Sequence, residues 1–241
     1  MQKKIVVHMY LKNGKAVTGF DGKELLEDGD VMSIAQHYSN NGADELLIFD
    51  LSDDDADHEQ SLNLIRQISR VIDIPMSGGG HIKNLEDVKK LLYAGCQQVF
   101  LNYAKAANIE LTEEVSKRFG KEKIAICTDS FAQLQANKAR VNEYTSRVIL
   151  LCDEVDVRTT ARLVEVPVLP VSTRADRHGL LKLLMLDNIC GVCGDTFSDL
   201  NEDLMAAKLE AKKHGVEINT FESKMSWNEL KLNSDGMIPV V

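Results

Sequence analysis

Three consecutive glycines, Gly78, Gly79 and Gly80, stand between the apolar approach Ile74-Pro75-Met76 and the amphipathic stretch NLEDVKKLL. Backbone without a Cβ lets N–H groups approach an anion closely, and the amino end of a following helix adds positive potential, so this segment could cradle a phosphate. The same triplet also suits a tight strand-to-helix turn with no ligand. Asn102, closing the next apolar run, could donate to the same anion or satisfy a loop carbonyl. Asp50, Asp129 and Asp153 each follow four or more apolar or small residues. Carboxylates so placed sit at strand ends, where they could act as general acids or bases, or cap the helices that follow. Asp129 is the leading catalytic candidate, facing the end of the first strand, where Tyr10 stands and no carboxylate does. Arg174 in STRAD could grip an anion bidentately or be a solvated loop residue, and Asp195 would repel phosphate at the neighbouring strand end. Cys190 and Cys193 form an isolated CxxC whose side chains, in a strand, point to opposite faces, so neither zinc nor disulfide redox chemistry is expected. His8 and His81 fall near the expected mouth, whereas His37, His58, His178 and His214 read as helix-surface groups.

The elements that must position these groups follow from apolar periodicity. Eight short β-branched runs, at 4–11, 45–52, 74–78, 97–104, 123–130, 147–154, 166–173 and 189–196, read as strands. Helical patterns lie between them at 31–41, 58–72, 84–94, 111–119, 157–165 and 178–187, with a further one at 201–214; the connection 131–145 has the weakest pattern. Strands alternating with helices imply parallel pairing through right-handed crossovers, and eight such units suggest a closed barrel. An internal repeat supports closure: Asp50 aligns with Asp153, Pro75 with Pro167, Ser77 with Ser172, and LEDVKKLLYAG with RHGLLKLLMLDN. The chain therefore reads as two half-barrels, the second degenerate. The stretch SKMSWNELKLNSDGMIPVV, with the sole Trp at 227, reads as a linker followed by a strand that begins and stops.

The totals narrow the function classes. A formal charge of −9 argues against nucleic-acid or membrane-surface partners, which require a cationic footprint. Five cysteines form an odd set, and the first residues show no signal-peptide pattern, so the expected setting is reducing and cytoplasmic. No apolar stretch approaches the roughly 20 residues of a membrane helix. The DDDADHE run at 53–59 lacks EF-hand spacing and reads as a solvated loop, so no metal or other cofactor is expected.

With these residues in place, the chain resembles the histidine-biosynthesis barrels, the cyclase subunit of imidazole glycerol phosphate synthase and its isomerase relative. YLKNGKAV (10–17), ADELLIFDLS (43–52) and IPMSGGGHIKNLEDVKKLLYAGCQQVFLN (74–102) carry the similarity, which is clear over roughly 4–130. The resemblance implies an eight-fold (βα)8 TIM barrel over 1–222 and a substrate with a phosphate at each end, with Gly79, Gly80 and Asn102 forming one phosphate-binding half. It also implies an aspartate at the ends of strands one and five: Asp129 matches the second, and Tyr10 replaces the first. A phenol with a pKa near ~10 is a poor general base at neutral pH. Thr173 and Arg174 replace the second glycine set. The segment LNSDGMIPVV resembles the opening of phosphoribosyl-AMP cyclohydrolase domains, which in some bacteria are joined to phosphoribosyl-ATP pyrophosphatase. Residues 223–241 are thus expected to be a linker and the start of such a domain, giving the barrel covalently attached catalytic partners. The expectation is a cyclase-like barrel that binds a phosphorylated ribonucleotide intermediate without converting it. The alternative is a working cyclase, partnered by a glutaminase, or a ribonucleotide isomerase, with Asp129 as acid/base.

Overall fold

The computed structural model describes residues 2–26, 30–153 and 155–220. Strand β1 (Lys4–Lys12) turns at Asn13-Gly14 into β2 (Lys15–Thr18), which pairs with the short β3 (Glu24–Leu25). Both turn residues have positive φ, 50° and 67°, the backbone that a two-residue hairpin turn with the right twist demands. From there the chain alternates: α1 (Val31–Asn40), β4 (Glu45–Asp50), α2 (Asp55–Ile68), β5 (Met76–Gly79), α3 (Leu85–Tyr93), β6 (Gln98–Asn102), α4 (Ala106–Phe119), β7 (Ile124–Thr128). The 131–145 connection forms two short helices, α5 (Phe131–Ala136) and α6 (Lys138–Tyr144). The second half continues as β8 (Arg147–Leu151), α7 (Val157–Leu163), β9 (Val168–Ser172), α8 (Arg177–Leu184), β10 (Gly191–Gly194), α9 (Asp195–Ser198) and α10 (Leu204–Lys213).

The sheet order β10-β9-β8-β7-β6-β5-β4-β1 closes on itself, because β10 pairs in parallel with β1 through Lys4↔Gly191, Ile5↔Val192 and Val6↔Cys193. Eight parallel strands with helices between them make a (βα)8 TIM barrel, as the alternation predicted. The β2–β3 hairpin adds an antiparallel extension to β1 that the strand reading passed over. Among the described residues no helix is long and apolar enough to cross a membrane, and none of the five cysteines is paired in a disulfide. The sequence-based expectations for 223–241, including Trp227, lie outside the described residues.

Two apolar regions follow from strand alternation. Outward-facing residues such as Ile5, Val7, Leu46, Ile48 and Val99 pack under the helices, where burying each large side chain stabilises by about 1.5–3 kcal/mol. Inward-facing Val6, Tyr10, Leu47, Phe49, Phe100, Ile149, Leu169 and Cys193 fill the barrel. The filling is polar at the amino end. There Glu45 accepts from Arg147 Nη1 at 3.0 Å, from Lys4 at 3.1 Å and from the Ser77 hydroxyl at 2.7 Å. Burial opposes the charge of Glu45, but Arg147 outweighs it and holds the carboxyl down at about 2.

This floor corrects one repeat match. Ser77 belongs to the floor, whereas Ser172 closes β9 at the opposite end and donates to Asp153 at 2.5 Å. The prolines align, but the serines stand at different heights on their strands. Cys190 is a second correction. It precedes β10, outside the pleat, and packs against the same interior cluster as Cys193.

Candidate functional site at the carboxyl-end mouth

The glycine triplet answers first to packing. A Cβ on Gly79 would lie 2.3 Å from the Phe100 ring, and one on Gly80 would lie 2.0 Å from the Asp50 carbonyl oxygen. Gly80 also has φ +115°, which side chains rarely adopt. The triplet therefore brings β5 against both neighbouring strands. His81 follows with φ 51°, held by Nδ1 at 3.1 Å from the Ser52 carbonyl and Nε2 at 2.7 Å from Asp55.

The helix after the glycines is not the open one. Asn84 caps α3 by accepting from the N–H groups of Glu86 and Asp87, and Asp87 accepts in return from Asn84. Its first turn is already acidic, so the positive end expected to help an anion there is filled by the chain itself. One strand further on the situation reverses. Helix α4 has no side-chain cap, no acid in its first turn, and Lys105 at its cap position. Asn102 delivers the chain to that end, its side-chain oxygen accepting from Ala104 N–H at 2.9 Å. An uncapped amino end of a 14-residue helix is a ready anion position.

The aspartates at the strand ends differ sharply. Asp50 is buried and fully engaged, receiving the Ser52 N–H at 3.1 Å, the Ser52 hydroxyl, and His58 Nδ1 at 2.5 Å. It organises the turn rather than working at the rim. His58, expected on the helix surface, is 2 % exposed and stacks on His81 with ring centroids 4.9 Å apart. The reason is that α2 starts at Asp55 and turns His58, Ser61, Leu62, Ile65 and Ile68 inward as one stripe.

Asp153 plays the corresponding part in the second half. It accepts from the Ser172 hydroxyl at 2.5 Å, from Thr173 N–H at 3.1 Å, and from the Thr173 hydroxyl. Burial works against its charge, yet these donors prevail and keep the carboxyl below its ordinary value. The donors that an anion would need at that strand end are thus taken by an internal carboxylate. Arg174, in the same turn, donates its N–H to Ser172 Oγ at 3.3 Å and lines a surface hollow with Asp153, Arg158 and Lys182.

Asp129 is exposed directly after β7 and has no hydrogen-bond or ion-pair partner among the described residues. Strand β7 lies four strands from β1 in either direction, so Asp129 and Tyr10 stand on opposite sides of the mouth. Tyr10 is 4 % exposed, and its ring packs on Phe20 at 4.7 Å, His8 at 4.8 Å and Phe49 at 5.4 Å. Its hydroxyl has no hydrogen-bond partner among the described residues. Burial, with Asp195 and other acidic neighbours adding to it, pushes the phenol far above its ordinary range, so it stays neutral. One carboxylate near this side of the mouth is Asp195, whose Oδ1 lies 3.1 Å from His8 Nε2. Both histidines that the sequence places near the mouth thus have a carboxylate partner, His8 with Asp195 and His81 with Asp55. The closing register, which continues from Val6↔Cys193 to bring His8 level with Asp195, is what makes the first of these pairs.

The structure is thus a closed (βα)8 barrel whose carboxyl-end mouth carries glycine-permitted close packing at one strand end, an uncapped helix amino end beside it and, among the described residues, an unpartnered carboxylate across from them. The chain matches the family described as "Histidine biosynthesis protein" over residues 4–187, and it belongs to that family. Among curated relatives it is 33 % identical over 130 residues to the imidazole glycerol phosphate synthase subunit HisF of Flavobacterium psychrophilum, covering 54 % of this chain and 52 % of that protein. It is 32 % identical over 162 residues to the same subunit of Haemophilus influenzae, covering 66 % of this chain and 60 % of the relative. The Exiguobacterium sibiricum subunit is 32 % identical over 130 residues, 54 % of this chain and 52 % of the relative. The chain spans about half the length of the first of these relatives.

Proposed function

We propose that this histidine-biosynthesis barrel takes a phosphorylated ribonucleotide at its carboxyl-end mouth and holds it without converting it. One phosphate is received at the amino end of α4 beside Asn102 and the Gly79-Gly80 turn, and Arg174, in the turn after β9, is assigned to the other end of the ligand. The observation that carries the reading is the α4 terminus, uncapped and free of acid in its first turn, set against the internally occupied turn at Asp153. The lack of conversion rests on Tyr10, a neutral buried phenol where acid–base work would require a carboxylate. In this reading the barrel, 1–222, serves as a ligand-holding or assembly domain. The cyclohydrolase-like sequence at 232–241 supports covalently attached catalytic domains as its partners.

Calorimetric titration with ribose 5-phosphate tests the phosphate half. Saturable binding is expected, weakened about 10-fold or more by Asn102→Ala, since a hydrogen bond to a charged group contributes about 1.5–3 kcal/mol. Absence of binding, or binding indifferent to Asn102, would contradict it.

A second reading is a working cyclase supplied with ammonia by a glutaminase. The names of the relatives and the unpartnered Asp129 favour it. Asp195 would then supply the missing acid from the start of α9, directly after β10, and Asp129→Asn would abolish turnover.

A further inference from the structure

The chain contains two Asn-Gly steps, Asn13-Gly14 and Asn41-Gly42. Each carries a latent reaction. The glycine nitrogen can attack the preceding side-chain carbonyl carbon, because no Cβ on the following residue obstructs the approach. Whether it does so depends on what holds the two groups, and the fold treats the two steps in opposite ways.

Asn41 is tied down. Its Nδ2 donates to the His37 carbonyl at 2.8 Å and its backbone N–H to the same oxygen at 2.9 Å, closing α1. Gly42 is buried against Met205, whose sulfur would lie 3.1 Å from a Cβ at that position. Solvent is therefore kept from the nitrogen that must attack. Asn13, by contrast, is exposed at the tip of the β1–β2 hairpin, and among the described residues neither its side chain nor the Gly14 N–H makes a hydrogen bond. Its φ of 50° is a backbone that side-chain-bearing residues adopt rarely, so this solvated tip opens locally at little cost. The exposed Lys15 follows, a positive charge that favours the anionic nitrogen through which the attack passes.

We propose that Asn13-Gly14 is a site of spontaneous covalent modification, at which the hairpin tip passes from asparagine to a mixture of aspartate and isoaspartate. The Gly14 nitrogen bonds to Asn13 Cγ and gives up its proton, the Cγ–Nδ2 bond breaks, and the amine leaves with that proton as ammonia. Water then opens the cyclic imide at either carbonyl, so solvent is the only co-reactant. The two products differ at the turn. Aspartate keeps the two-residue geometry, since Asp-Gly supports the same positive-φ turn. Isoaspartate adds one atom to the main chain between the strands, so the pairs Lys12↔Lys15, Leu11↔Ala16 and Tyr10↔Val17 cannot all be kept. The same hairpin carries Phe20, which packs on Tyr10 at 4.7 Å and on Phe49 at 5.0 Å, so the loss reaches the mouth. The reaction does not depend on the phosphate position at α4.

The whole chain, kept warm at mildly alkaline pH, is sampled over time, digested, and followed by peptide mass analysis at both asparagines. Conversion at Asn13 is expected to run at least ~10-fold faster than at Asn41, the ratio that about 1.4 kcal/mol of additional local opening at Asn41 produces. Asn13→Gly keeps a turn-forming pair and is expected to abolish the change at this step while leaving Asn41 as slow as before. The isoaspartate form, recognised by its resistance to a protease that cuts before aspartate, is expected to lose the Tyr10–Val17 cross-strand NMR contacts that the Asn13→Asp variant retains. An Asn13 that converts no faster than Asn41, or an isoaspartate form with those contacts intact, would overturn the assignment.

Discussion

The Tyr10 hydroxyl, shut inside the barrel with no partner among the described residues, carries a desolvation cost that its ring must offset through packing on Phe20, Phe49 and His8. Removing that hydroxyl alone should therefore help the fold. Tyr10→Phe is expected to stabilise by about 1 kcal/mol, raising the thermal midpoint by roughly 2–4 °C in a chain of this size. A lower midpoint would mean that the hydroxyl has a partner. Gly80→Ala should act in the opposite sense, since its Cβ would collide with the Asp50 carbonyl at 2.0 Å in a backbone of φ +115°. A loss of at least ~2 kcal/mol is expected in denaturant unfolding. The presence of the glycines, Asp129 and Tyr10 was legible in the sequence. The burial of His58 was legible too, since it begins an i, i+3, i+4, i+7 stripe with Ser61, Leu62 and Ile65; placing the helix start three residues late hid it. The His8–Asp195 pair was not legible, because it depends on the register by which the last strand meets the first.

At the scale of elements, the barrel floor is a cross-strand device. Glu45 on β4, Ser77 on β5 and Arg147 on β8 meet inside, with Lys4 of β1 at the edge. Glu45 is held at about 2, below its unfolded value, so its contribution is fully present above about pH 4.5 and is lost as pH falls through the folded value. Acid unfolding should accordingly begin below about pH 4.5, and Glu45→Gln should flatten that limb of the stability profile. The same substitution leaves Arg147 buried without its counter-charge, at an expected cost of about 3–5 kcal/mol at neutral pH. An unchanged acid limb would remove Glu45 from this role. Sequence alone did not show the floor. Ser77 was matched to Ser172 by its neighbours in the chain, and only the strand register separates the one at the floor from the one at the mouth. The β2–β3 hairpin did have a signal, the Asn13-Gly14 pair between two alternating runs.

For the whole molecule, closure of the sheet decides everything at the mouth. The β10–β1 seam requires glycine at 191, where a Cβ would lie 2.7 Å from the Lys4 carbonyl oxygen. Gly191→Val should strain the seam by about 1–3 kcal/mol and disturb the His8–Asp195 pair more than the distant Asn102 side. Backbone chemical-shift changes should map accordingly. The alternation of strands and helices made the closed barrel legible from the start, since eight buried parallel strands have few other ways to cover both faces. The chemistry was less so, because whether a strand-end carboxylate works on a ligand or ties down a turn depends on its donors. Asp50 and Asp153 are tied; Asp129 is not.

The most direct measurement is a product assay on the intact chain given the imidazole-pathway ribonucleotide and excess ammonia, with bound ligand quantified in the same sample. Retention of the ribonucleotide with no cyclised or isomerised product, and gain of detectable product only in Tyr10→Asp, is the predicted result. Steady turnover by the unaltered chain, abolished by Asp129→Asn, would contradict it.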